Sequence, residues 1–166
     1  MDESARVFEH SRAYREGEGL THPRGMSRKE RERFDKLFDE VFSQLPATVH
    51  AMLEEAPIIL EDHPSEELAA ELGIDLDDPE DILCGLHSGV PLTERSVSDA
   101  EGLETIHLFR MGILDLAGGW EAWEDDEGQE WGGSDRIRTE IRITILHEVG
   151  HHFGLDEADL DRLGYA

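Results

Sequence analysis

Apolar positions recur along this chain with two different periods, and the switches between them mark out the elements. From Ser27 onward, Phe34, Leu37, Phe38, Val41 and Phe42 follow helical spacing, and Ser27 with Glu30 three residues later makes a capping pair. The pattern predicts a helix over 28–44. Pro46 punctuates it, and 47–55 is expected to continue as a second short helix. Residues 57–62 read as a strand, 65–72 as a helix and 73–81 as an acidic turn, and two further strands, 82–87 and 104–110, flank a turn-rich 88–102. Upstream the pattern fades. Residues 1–25 are polar, with Gly17, Gly19, Pro23 and Gly25, and are expected to be a flexible N-terminal extension of one folded domain over 26–166.

The C-terminal part holds an ambiguity. Ile137, Ile141, Ile145, Val149 and Phe153 form an i, i+4 ladder joined by Leu146, with Glu140, Thr144, His147 and His151 opposite. This predicts an amphipathic helix whose histidine face looks into a cleft. Yet Ile137, Ile141, Ile143 and Ile145 also alternate with polar residues, which fits a strand over 137–145. Helix is the better reading, because a strand would leave 147–151 too little preceding helix to be held rigidly. Ser134 or Asp135 is expected to cap its start, and Gly154 to end it in the left-handed conformation.

That helix carries the chemistry. In HEVGHHFGLDE, 147–157, His147 and His151 project from adjacent turns of one face, where two imidazoles can grip one tetrahedral Zn²⁺. Glu148 stands beside them as a general base for water that the ion acidifies to a pKa of roughly 7. The pentad alone is only suggestive in a chain with 9 histidines, but Gly154 and a carboxylate at 157 extend it. With nine residues after Glu157, no distant downstream ligand is expected. Glu157 has the third-ligand spacing, Asp156 is the alternate one residue off, and Asp161 is a more remote choice. Equally, Asp156, Glu157 and Asp159 read as the acidic start of a last helix over 157–163.

TILHEVGHHFGL at 144–155, with its doubled His151-His152, and the acidic 156–161 resemble the small bacterial zincin-like metallopeptidases, also called minimal metalloproteases. GLHSGVPLTERS at 85–96 is similar to the loop those proteins place before the metal helix, and the likeness covers roughly residues 26–166. The resemblance implies an α+β fold in a single zincin-like domain, a metal helix packed on a small mixed sheet, and peptidase activity. It also implies an acidic third metal position, met here by Asp156 or Glu157. The long stretch 118–133 and the N-terminal 25 residues depart from that pattern.

Composition narrows the partners. With 166 residues and 38% hydrophobic content the chain can bury a core, and its one cysteine, Cys84, sits in an apolar stretch as an expected inert thiol. MDESARVFEH lacks the basic and apolar runs of a signal peptide, so a cytoplasmic location is expected. A net charge of −25 repels nucleic acid and membrane headgroups and draws in cationic peptides or proteins, although adaptation of the whole surface to salt accounts for it equally well.

The remaining candidates are weaker. His87 and His107, on expected strands, read as structural rather than ligating, and His152 is expected to pack on the buried side of the helix with one hydrogen bond. Trp120, Trp123 and Trp131 lie among acidic residues, either as a substrate-facing lid or as a loop patching the core. The leading function is a zinc peptidase held by His147, His151 and Glu157, with strand 104–110 pairing with an extended peptide. Two alternatives remain. One is another metal-assisted hydrolase, similar in its H-x3-H-x5 spacing to bacterial RNA-maturation endonucleases, and the other is a non-catalytic metal-binding module.

Overall fold

The computed structural model describes the backbone of residues 5–8 and residues 25–78, 80–88 and 104–163. In chain order these form β1 (Ala5–Phe8), α1 (Arg28–Ser43), α2 (Ala47–Glu55), β2 (Ile58–Glu61), α3 (Glu66–Leu72), β3 (Ile82–Ser88) and β4 (Thr105–Phe109). Then follow α4 (Arg110–Ala117), β5 (Trp123–Glu124), β6 (Glu130–Trp131), α5 (Gly133–His152) and α6 (Glu157–Leu163). The architecture is α+β, as expected, and the turn-rich 89–102 with most of the 85–96 block lies outside the described residues.

Local sequence accounts for the early helices. The Ser27 hydroxyl accepts from the Glu30 N–H, and the Glu30 carboxylate accepts in turn from the Ser27 N–H at 2.9 Å, so the predicted capping box forms. The Ser27 hydrogen bonds hold the Glu30 carboxyl below its ordinary pKa. Phe34, Leu37 and Val41 then fall on the buried face.

The larger sheet runs β1-β3-β4-β2, with β2 parallel to β4 and the other pairs antiparallel. Its first strand lies within the expected flexible extension over 1–25: Ala5–Phe8 pairs with β3. One face carries Ile82, Cys84, Ile106 and Leu108 into the main core with α1, α2 and α5, where Ile137, Ile141 and Ile145 are fully buried. The opposite face puts Leu83, Leu86 and Phe109 against Ala69 and Ile74.

β3 changes face midway. Its register against β1 steps from Arg6↔Gly85 to Val7↔Leu83, which leaves Cys84 as the extra residue of a bulge. Beyond that bulge Gly85 and His87 lie opposite Leu108 and Ile106, two residues of the main core, so they share the face covered by α5. Arg110, at the start of α4, binds Asp35 of α1 at 2.8 Å and Asp62 after β2 at 3.3 Å, tying the sheet's end to α1. Burial raises the Asp62 carboxyl, but the hydrogen bond and charge of Arg31 prevail and leave it below its ordinary pKa.

Candidate metal centre

α5 is a helix throughout its 20 residues, so the strand alternative for 137–145 is overturned. The reason is tertiary. Burial falls at 137, 140, 141, 144, 145 and 148, a helical repeat, whereas a strand burying Ile141 and Ile145 would bury Ile143 between them and turn Glu140 and Thr144 to the other face. Its start differs from the expected cap: Gly132 takes the N-cap position with no side-chain hydrogen bond, and Ser134 and Asp135 lie inside the first turn.

Its end is built by Gly154 at φ +77°. The Gly154 N–H donates to the His151 carbonyl at 2.9 Å, and the Leu155 N–H donates to Gly150 at 3.0 Å, the paired bonds of a Schellman turn. That reversal brings the Leu155 carbonyl within 3.2 Å of His151 Nδ1. Donation from Nδ1–H to that carbonyl assigns the tautomer and leaves the Nε2 lone pair available.

The same reversal carries Glu157 back to the histidines. Nε2 of His147 and Nε2 of His151 are 3.0 Å apart, and Glu157 Oε1 is 3.5 Å from the first and 3.1 Å from the second. Donors bound to a tetrahedral Zn²⁺ at 2.0–2.1 Å stand about 3.3 Å apart, so these three residues fit such an ion. Asp156 is engaged otherwise. Its carboxylate accepts from the Asp159 N–H at 2.8 Å while Asp159 accepts from the Asp156 N–H at 3.2 Å, a reciprocal cap on α6. The Asp156 N–H, more than the neighbouring Arg162 charge, holds the Asp159 carboxyl below its ordinary range. Asp161 lies in α6, and its side chain is outside the described residues.

Glu148 is wholly buried where α5 crosses β3 at Gly85. A Cβ on Gly85 would lie 2.8 Å from Thr144 Cγ2 and 2.9 Å from Glu148 Oε1, so glycine permits the close helix–sheet approach. Among the described residues, the imidazoles on the histidine side are largely covered. His147 and His151 are only 2% and 6% exposed, which leaves the half-exposed Glu157 as the outer wall of the cluster.

Other expectations are revised. β4 cannot take an added peptide strand, because β3 and β2 flank it on both sides. His107 is satisfied locally by Glu61 and Thr105, each at 3.1 Å. His152 does face inward, as expected, but it meets Glu104, Glu55 and His87 rather than apolar packing alone. Cys84 is buried in β3. Trp120 packs against the main core with Arg33 4.4 Å over its ring, while Trp123 and Trp131 stack at 6.3 Å across the β5–β6 hairpin. That hairpin enters α5 at Gly133, and fourteen residues of helix place it about 21 Å along the axis from His147.

No helix among the described residues is long and apolar enough to cross a membrane. Residues 53–165 match the family model described as zincin-like metallopeptidase. No curated protein matches the chain.

Proposed function

The chain belongs to the zincin-like metallopeptidase family, and on that premise we propose that it is a zinc-dependent peptidase acting on peptide or protein substrates. The observation that supports this most is the convergence of two imidazole nitrogens and one carboxylate oxygen at 3.0–3.5 Å, with a buried glutamate next in sequence to the first histidine. His147, His151 and Glu157 hold the ion, and Glu148 is not among its ligands. Bound there, Zn²⁺ would acidify water and polarise the scissile carbonyl.

The side chains do the rest. His151 keeps Nε2 aimed at the centre through its Nδ1–H bond to Leu155, and the Schellman turn holds Glu157 against both rings. Glu148 takes a proton from the attacking water as its oxygen bonds to the carbonyl carbon, and returns a proton to the amine nitrogen as the carbon–nitrogen bond breaks. Thr144 and Gly85, packed about Glu148, restrict where its carboxylate can lie.

Substitution separates these jobs. His147→Ala and His151→Ala should lose both Zn²⁺ and cleavage of a peptide library. Glu148→Gln should keep the ion and the fold yet lose on the order of 10²–10⁴ in kcat, the scale of a removed general base. Wild-type rates from Glu148→Gln would sink the mechanism. A native chain that binds Zn²⁺ but cleaves no peptide would leave the non-catalytic alternative.

A further inference from the structure

A second cluster of metal-ligating side chains lies beside the first on α5. His87 on β3, Glu104 just before β4 and His152 at the end of α5 come from three separate places in the chain, and their exposures are 0%, 4% and 1%. One donor atom from each lies within 4.8 Å of the others. Glu104 Oε2 stands 3.3 Å from His87 Nε2 and in direct contact with His152 Nδ1, and the two rings meet edge to face with centroids 5.5 Å apart.

We propose that His87, Glu104 and His152 form a second divalent-metal site, structural in role, that pins the C-terminal turn of α5 to β3 and to the entry of β4. Three features support an ion over a plain hydrogen-bonded network. A carboxylate taken out of water between two imidazoles carries a buried negative charge, which a divalent cation offsets directly. Two imidazole nitrogens with one carboxylate is a donor set that suits Zn²⁺ and its first-row neighbours, and the 3.3 Å separation of His87 Nε2 from Glu104 Oε2 matches that of two ligands on one such ion. The far nitrogen of His152, Nε2, stands 3.5 Å from Glu55 Oε2 on α2. A metal-binding histidine characteristically gives its other N–H to a carboxylate in this way, and the arrangement leaves Nδ1 as the ligating atom.

The bulge in β3 makes the site. Without the extra residue Cys84, strict alternation from Ile82 would turn His87 to the opposite face of the sheet, away from α5. Residues 151 and 152 then ligate in different directions: His151 serves the cluster with His147 and Glu157, and His152 serves the cluster with His87 and Glu104.

The full-length chain, stripped with chelator, is titrated with Zn²⁺ and separately with Co²⁺, and bound metal is counted by elemental analysis. The native chain should take two equivalents. Glu104→Gln, which keeps the size of the side chain but removes its charge, should lose one of them while circular dichroism stays native. His87→Gln should repeat that result should Glu104→Gln fold poorly. His147→Ala should lose the other equivalent and keep the one that depends on Glu104, so failure of the peptidase site and failure of this one read out separately. Zn²⁺ should also raise the Tm of His147→Ala but not of the double variant His147→Ala with Glu104→Gln. Equal metal content in the native chain and in both Glu104→Gln and His87→Gln would overturn the proposal and leave a metal-free His–Glu–His network.

Discussion

At the scale of single residues, spacing identifies His147, Glu148 and His151, because a helix fixes which neighbours share a face. It also ranks Glu157 ahead of Asp156, although one residue of turn geometry decides which carboxylate returns to the imidazoles. The turn at Gly154 favours the same carboxylate: Asp156 accepts from the Asp159 N–H, and Glu157 Oε1 approaches both Nε2 atoms. Glu157→Ala should therefore weaken Zn²⁺ binding about tenfold or more, a loss of roughly 1.4 kcal/mol at the least. Asp156→Ala should leave affinity within about twofold and cost ~1 kcal/mol through the lost cap on α6. Isothermal titration of both variants reads the difference, and a larger loss from Asp156→Ala would reverse the assignment. His87 was the harder residue to place. Strand periodicity assigns its face only if the strand is regular, and the register step at Cys84 is set by pairing with a segment 75 or more positions upstream.

Elements were legible where local signals agreed with packing. α1 with its box, α2, β2, α3 and β3 match the pattern within a residue or two of their ends. α4 was not read, because it is short, follows β4 without a break and contains Gly112, a poor helix former. Packing explains that glycine, as a Cβ there would sit 1.9 Å from the Leu83 carbonyl oxygen. Gly85 plays the corresponding part beneath α5 and sets the sheet against Glu148, the base of the proposed mechanism. Gly85→Ala drives a methyl group to 2.8 Å from Thr144 Cγ2 and 2.9 Å from Glu148 Oε1, so α5 or the glutamate must move. Overpacking of that kind costs about 1–3 kcal/mol. A base displaced by an ångström costs on the order of 10²-fold in rate. Since the atoms nearest that methyl group belong to Thr144 and Glu148, Zn²⁺ affinity should change far less than kcat. Peptide kinetics beside metal titration of the same variant gives the comparison, and an unchanged kcat would mean that Glu148 does not depend on the β3 contact.

For the whole molecule, the main core reaches beyond the residues of the family match. α1 lies upstream of the residues that match the family model, yet Phe34, Leu37 and Val41 are buried in the same core as the isoleucines of α5. The charge also belongs to this scale, because a net −25 acts as a field around the entire chain rather than at one contact. Glu157, half exposed at the edge of the buried histidine cluster, puts part of that charge at the candidate metal centre. If the field steers cationic peptides, kcat/KM for a Lys/Arg-rich peptide should fall several-fold between about 20 mM and 500 mM salt, as the Debye length shrinks from roughly 20 Å to about 4 Å. The loss should appear mainly in the association rate, with kcat nearly constant, and a neutral peptide of the same length should respond little. Stopped-flow binding to Glu148→Gln isolates association from cleavage. Equal salt response for the two peptides, or activity that rises toward molar salt, would instead assign the acidic surface to salt tolerance, with substrate choice left to contacts close to the metal centre.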